Sequence, residues 1–444
     1  MRARNGPRAV PSSPSAPRQD HSEARVRTIG RHRDAVRALV GPALPTAVSP
    51  GTVESSSVVA LAAGSAAGHG YRVLATTVLP PTPLPAFDNS QMDGFAVRAA
   101  DAGATVRVTA PIPAGVVPRP LEPGTAAPIM TGARIPVGAD AVFPVESTPA
   151  GSFPAALGSD HVPVPIDLVP GSFVRVAGSD LAAGAPIARA GQPLTPAVLG
   201  ALAGAGVTTV DVLRRPRVLV VSTGSELLDP GSTADADLSA GAAIGDANGV
   251  ALSAALAEVG VDTRRVRVPD DPDEFLGALD DAVGDWADLV LTTGGISAGA
   301  YEVVRQALEP RGLVVTSVAM QPGGPQALGT VPVAGRSVPV VAFPGNPVSA
   351  LVSFEVFLRP VLAPAVGLPE HRPTVDLPAA ESASSPAAKH QVRRGTVVDG
   401  RVHFVGGPGS HLLWHYAEAT HLVHVPVGTT SVEPGDPLTV WSIR

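Results

Sequence analysis

The sequence contains no cysteine, which excludes disulfides, thiolate metal centres and cysteine nucleophiles. Aromatic residues make up only 4%, too few for the stacking surfaces that bind single-stranded nucleic acid. Charged residues are sparse as well, at 16%, and the formal net charge is −7. A chain that grips a phosphate backbone usually carries a basic face, so no nucleic-acid partner is expected. The arginines that do cluster, from Arg2 to Arg37, fall in the opening stretch, whose Pro- and Ser-rich residues 1–22 read as a solvated, disordered tail. That stretch has charge but no apolar segment of the signal-peptide kind. No uninterrupted apolar run approaches the roughly 18–20 residues of a membrane span. The expected compartment is cytoplasmic, with no membrane partner.

What is present is apolar and rich in turns. The 444 residues are 45% hydrophobic, with 47 Gly and 48 Pro. Such a length exceeds one core, since domains usually hold roughly 100–200 residues. Helical patterns are predicted over His32–Val40 and Ser57–Ala67, and a strand over Tyr71–Val78. The run Leu79–Pro85 reads as an extended connector. Residues 77–174 show short alternating strands and turns, as at Ala104–Ala110, and predict a β-rich domain. A small unit with a helix at Leu194–Ala203 follows in 175–213. Residues 214–371 give the clearest pattern. Apolar runs at Arg217–Val221, Arg264–Val268, Leu289–Leu291, Val314–Ala319 and Val338–Phe343 are strand-like. Helical runs at Gly249–Val259, Pro272–Gly284, Glu302–Leu308 and Val348–Leu358 follow or lie between them. That alternation predicts an α/β domain with a parallel sheet covered on both faces. Residues 372–444 return to short strands and predict a small all-β domain. Linkers are expected at Pro81–Pro85, Arg214–Pro216 and Glu381–Ala388.

Ligands of open parallel sheets bind beyond the carboxyl ends of the strands. Three glycine-containing loops are predicted there: Ser222-Thr223-Gly224 with Ser225 and Glu226, Thr293-Gly294-Gly295-Ile296-Ser297, and Pro344-Gly345-Asn346-Pro347-Val348-Ser349. Each alone is readable as a tight strand-to-helix turn. Together they suit an oxyanion or phosphate, because glycines let backbone N–H groups approach an anion and a helix N-terminus adds a favourable dipole. Acidic residues stand near the same edge: Glu226, Asp246 (with Asn248), Asp270, Asp271 and Glu302. Carboxylates beside phosphates usually hold magnesium, although helix N-capping is a second, lesser reading for Asp246 and Asp270. The turn Asp88–Phe95 and the segment Met130–Ala133 crowd short polar residues together. His411 and His415 are spaced to share a helix face, but no third ligand accompanies them, and surface histidines are the plainer reading.

At these motifs the chain resembles the molybdopterin molybdenumtransferase family, which includes the E domain of gephyrin. The resemblance rests on Phe87–Arg98, Ile129–Ala133 with Gly138–Val142, Ser222–Leu227, Thr293–Ser297, Phe343–Ser349 and Gly409–His411. Their order and spacing match over nearly the whole chain beyond the tail. It implies four domains: an elongated one formed from 23–76 and 175–213, an inserted β-rich one over 77–174, the α/β domain over 214–371, and a C-terminal β-barrel-like domain over 372–444. It also implies a homodimer with a site between subunits. The implied reaction transfers molybdenum from molybdate to adenylylated molybdopterin, releases AMP and uses Mg2+. Asp93 and Thr131 would come from the inserted domain. Asp180, Glu226 and Asp270 match acidic functional positions, while Asp246 and Glu302 would contact metal or nucleotide.

The sequence departs from the family pattern at several points. Ser179 stands where the family usually has Glu, Ser225 where Asp is frequent, and Glu302 where Asp is frequent. The usual Pro-Gly-Lys-Pro loop is Pro322-Gly323-Gly324-Pro325, and Gln321 occupies another position that can be Lys. A lost lysine beside anions removes a counter-charge that glycine cannot replace; Arg305 and Arg134 are candidates to compensate. These losses leave open a paralogue that binds a pterin, a nucleotide or a protein partner without turnover. An enzyme that hydrolyses nucleotides or transfers adenylyl groups is a third reading.

Overall fold

The computed structural model describes residues 26–46, 51–62, 72–228, 243–268, 270–296 and 302–444. The expected tail over 1–22 and the site candidate Ser297 lie outside these residues.

The centre of the molecule is a six-stranded sheet. Its order is Asp262–Val268, Arg217–Thr223, Leu289–Thr293, Arg336–Phe343, Pro325–Val333 and Val314–Ser317. The first four strands run parallel. The last two pair antiparallel, so the sheet is mixed where an all-parallel one was expected. The reason is local. Ala334 and Gly335 turn the chain at φ of 49° and 73°, closing a hairpin between Pro325–Val333 and Arg336–Phe343. The strand Pro325–Val333 carries three polar or glycine positions and two prolines, which hid it from a pattern search. Elsewhere side chains alternate between faces as a strand requires. Val218, Val220, Leu289, Leu291, Val341 and Phe343 join one core; Leu219, Val221, Val290, Val340 and Ala342 join the other.

The helices owe their ends to short-range chemistry. Pro272–Val283 starts at Asp271, whose carboxylate accepts from the N–H groups of Asp273 and Glu274, and stops at Gly284. Phe275, Leu279 and Val283, spaced by four, bury its inner face. The segment Pro347–Ala365 is helical throughout, with a π-helical turn at Phe354–Leu358. By length and composition it is able to cross a membrane, but 83% of its apolar window is buried within this protein. Glu355 inside it is paired with Arg372 at 2.8 Å, which fits a core helix rather than a lipid-facing one.

Helix Ile29–Val40 packs Val36 and Val40 onto the π-helical turn and into the core of the central sheet. Its place is therefore with the α/β unit, not with the elongated unit to which it was assigned. Two further strands, Val53–Ser57 and Thr209–Leu213, pair antiparallel across 150 residues of sequence separation or more. Around them gather Val58, Leu74, Ala188 and Leu202. The expected strand Tyr71–Val78 is reduced to isolated bridges at Val73, Leu74 and Val78. Between these parts lies a five-stranded sheet built from residues 94–163.

The last part of the chain forms a second six-stranded sheet, and a bridge between Ala379 and Val402 joins its outer strands. One of its members, Met320–Gln321, comes from the α/β unit and pairs with His390–Gln391. The segment Glu381–Ala388, expected as a linker, contains a strand that pairs with Ser431–Val432. The junction Arg214–Pro216 is clamped: Arg214 donates two hydrogen bonds of 2.7 Å to Asp288. His411 precedes the helix Leu413–Glu418 while His415 lies within it, so the pair does not share a helix face.

Candidate functional site

Two cavities open at the carboxyl edge of the parallel strands, as an open sheet requires. They share Gly294, Gly295, Glu302 and Gly345 and so form two lobes of one cleft. The loops meet there because they lack side chains. Gly294 and Gly295 adopt φ of 89° and 68°, and a Cβ on Gly345 would stand 3.3 Å from the Cα of Gly294. Asn248 ties the loops together, donating to Thr293 Oγ1 at 2.9 Å and to the Gly345 carbonyl at 2.6 Å.

The first lobe has a volume of about 440 Å3 and is lined by Thr223, Gly224, Glu226, Asp246, Asn248, Asp270, Glu302 and Pro347, among others. Among the described residues of its lining four side chains are carboxylates and none is cationic. Glu226 folds back over Gly224, whose missing side chain leaves the space it occupies. Asp270 Oδ2 accepts from the backbone N–H and the hydroxyl of Ser225, at 2.9 and 3.1 Å. The residue that caps the following helix is Asp271, so Asp270 is not an N-cap. Asp246 does cap its helix, with Oδ1 accepting from Gly249 N–H at 2.8 Å. Its second oxygen is buried and has no hydrogen-bond partner, although the residue is only 2% exposed. Gly249 makes the room, because a Cβ there would collide with this oxygen.

A buried carboxylate oxygen without a partner is costly unless a cation or donor reaches it. Among the described residues no group of three acidic or histidine side chains is close enough to hold a metal alone. Magnesium does not demand one, since it keeps several waters and takes one or two carboxylates together with substrate phosphates. The donor set in this lobe therefore fits such an ion.

The second lobe, about 640 Å3, is lined by Pro344, Gly345, Asn346 and Ser349, by the Gln321–Pro325 loop, and by Lys389, Pro408, Gly409 and Ser410. Those last four come from the C-terminal sheet unit. Its loop is shaped by Arg394, which is 1% exposed and donates to the carbonyls of Gly407 and, at 3.2 Å, Gly409. Burial pushes this guanidinium below its ordinary pKa, with Arg393 nearby acting in the same direction. Val348 N–H, in the first turn of its helix, donates to the Ser410 carbonyl at 3.1 Å. Lys389 and Arg394 were not singled out in the sequence. Arg305 and Arg134, the candidates for compensating charge, line neither lobe; Arg305 pairs with Glu309 at 2.9 Å.

Ser222 is fully buried beneath the first lobe rather than on its surface. Asp93 and Thr131 do meet: Asp93 Oδ1 accepts from Thr131 N–H at 2.7 Å and from its hydroxyl at 2.8 Å. Asp180 lies exposed beside the Leu84–Leu181 bridge. None of these three lines either lobe within one chain.

Comparison with known proteins decides the family. Residues 28–206 match the MoeA N-terminal region (domain I and II), and residues 219–364 match a probable molybdopterin binding domain. Molybdopterin molybdenumtransferase 2 of Mycobacterium tuberculosis is 43% identical over 390 residues, covering 84% of this chain and 92% of the relative. The chain belongs to the molybdopterin molybdenumtransferase family. A relative of the same enzyme name from Synechococcus elongatus is 33% identical, with 84% of this chain and 92% of that protein covered. In three dimensions the chain is similar to the molybdopterin biosynthesis MoeA protein of Pyrococcus horikosii, with a TM-score of 0.74 and 26% identity over 95% of this chain and all of the other. These likenesses favour a family enzyme over a non-catalytic paralogue.

Proposed function

We propose that the protein transfers molybdenum from molybdate to adenylylated molybdopterin with release of AMP, in the cytoplasm, as a homodimer. The observation that carries this is the two-lobed cleft: a carboxylate-lined lobe and a glycine-lined lobe with one lysine, meeting at Gly294, Gly295 and Gly345.

The acidic lobe would receive the phosphoanhydride. Four carboxylates with no cation among the described lining residues would repel it, so the charge argument itself calls for Mg2+, held by Asp246 with Glu226 or Glu302 as a second carboxylate and the substrate phosphates completing the set. When bound, that ion neutralises the phosphates and polarises the anhydride. Asn248 and Thr293 hold the loops at fixed separation, so that backbone N–H groups face an anion without reorganising. Asp270, oriented by Ser225, stands at the rim of this lobe. The glycine-lined lobe would take the molybdate. Asp93, Thr131 and Asp180 would act from a second copy of the chain, since one chain leaves them outside the cleft. We read the four groups of packed elements as the family's four-domain arrangement, with helix Ile29–Val40 docked on the α/β unit.

The test is direct. Purified protein given adenylylated molybdopterin, molybdate and Mg2+ should release AMP and form a cofactor that reconstitutes an apo-molybdoenzyme. Release of AMP that proceeds equally well without molybdate and yields no active cofactor would overturn the assignment.

A further inference from the structure

The sequence has 32 basic residues, and only one of them is a lysine, Lys389. The structure places this single ammonium at the larger lobe, where it is the one cationic side chain among the described residues of the lining. It has no carboxylate partner among the described residues. The loop across from it, Pro322–Pro325, is neutral.

We propose that Lys389 supplies the counter-charge for the tetrahedral oxyanion in this lobe, taking over from the loop at Gly324. This rests on the reading of the cleft given under Proposed function and deepens it. The placement of Lys389 is fixed on both sides. Its own N–H donates to the Pro386 carbonyl at 3.0 Å, and the next N–H, of His390, donates to the Ala319 carbonyl at 2.9 Å. One residue further, Gln391 is 2% exposed and donates from Nε2 to Gln321 Oε1 at 2.8 Å. The pairing of Met320–Gln321 with His390–Gln391 thus holds the C-terminal unit's lysine against the α/β unit's loops. A lysine is a compact charge on a flexible stem, suited to reach into a lobe from its rim.

One consequence separates this arrangement from a charge carried on the loop. An oxyanion held by Lys389 and by the glycine loops bridges two units of the chain, so binding stabilises their docking. The position Gly324 still has room for a side chain. A Cβ there meets only the carbonyl oxygens of Met320 and Val318, both at an ordinary 3.4 Å. The charge is therefore movable by mutation.

Titration of the full chain with molybdate, followed by calorimetry and by the shift in melting temperature, tests the proposal. Lys389→Ala should weaken molybdate binding about tenfold to a hundredfold, as loss of a charged hydrogen-bond donor does. Its melting temperature without molybdate should stay that of the wild type. Lys389→Arg should retain most of the affinity. Gly324→Lys in the Lys389→Ala background should recover part of it. If Lys389→Ala binds molybdate as the wild type does, the charge assignment is overturned, and AMP release by the wild type then shows that the reaction assigned above stands without it. A wild type that neither binds molybdate nor releases AMP removes both.

Discussion

Asp246 carries two duties with its two oxygens. One caps the helix Ala247–Glu258, and the other is buried without a partner. Asn caps helices about as well as Asp, so Asp246→Asn separates the duties. Its melting temperature should change little, whereas Mg2+-dependent turnover should fall by about a hundredfold or more, the scale on which a preorganised electrostatic contact counts. Turnover close to wild type would remove Asp246 from the metal site. Neighbouring Asp270 and Asp271 offer a second separation. Asp271→Ala removes a cap and should cost about 1 kcal/mol of stability with turnover preserved. Asp270→Ala should do the reverse. Chemical denaturation and AMP release, measured on both variants, distinguish a structural carboxylate from a working one. Sequence inspection singled out Asp246, Asp270 and Asp271 but could not assign the duties, because a cap depends on which N–H faces the oxygen.

At the scale of elements, the histidines matter more for folding than for chemistry. His32 lies on helix Ile29–Val40, packed edge-on against Phe357 at 4.6 Å between centroids. Both of its ring nitrogens are buried and unpartnered. Burial, helped by Arg27, lowers its pKa to about 4. His424 is held by the same cause at about 3, with His390 and Arg33 adding to the effect. In the unfolded chain these groups take up protons near pH 6.5. Between about pH 6.5 and 4 the unfolded state therefore binds more protons than the native one, and stability falls as pH is lowered through that window. Urea denaturation at pH 7.5 and pH 5 should show the loss. His32→Phe removes two desolvated nitrogens from an apolar pocket, so it should be neutral or stabilising at pH 7.5 and should flatten the pH dependence. An unchanged slope would show that other groups set it. The resemblance implies a place for this helix in the elongated unit, while its buried face packs onto the core of the central sheet; an amphipathic face says that a helix docks but not on which partner.

For the whole molecule, the separation of Asp93 and Thr131 from the cleft of their own chain yields a complementation test. If each site is built from two copies, an Asp93→Asn variant and a Glu226→Gln variant should each be inactive alone. After unfolding and refolding together, half of the dimers would be mixed, with one intact site in two, giving about a quarter of the wild-type turnover. No recovery in refolded mixtures that contain mixed dimers would place the site within one chain. The clamp at the junction is a matter of stability at this scale. Asp288→Ala leaves Arg214 without its bidentate partner and should destabilise the protein by about 2 kcal/mol, read by denaturation, with little effect on the cleft.

The sequence by itself determined the chemistry available: apolar strands ending in glycine loops, carboxylates spaced along the same edge, no thiol, and motifs that place the chain in its family. These are local properties, set by which side chains are present and by the short-range geometry of turns and caps. Tertiary structure decided which of those residues meet. It buried Ser222, gave the helix cap to Asp271 and the contact with Ser225 to Asp270, left Asp93 and Thr131 outside the cleft, and brought a lysine more than sixty residues beyond Gly324 to the same lobe. The physical reason is that long-range pairing, such as that of Met320–Gln321 with His390–Gln391, depends on the packing of whole faces, which no local pattern of residues encodes.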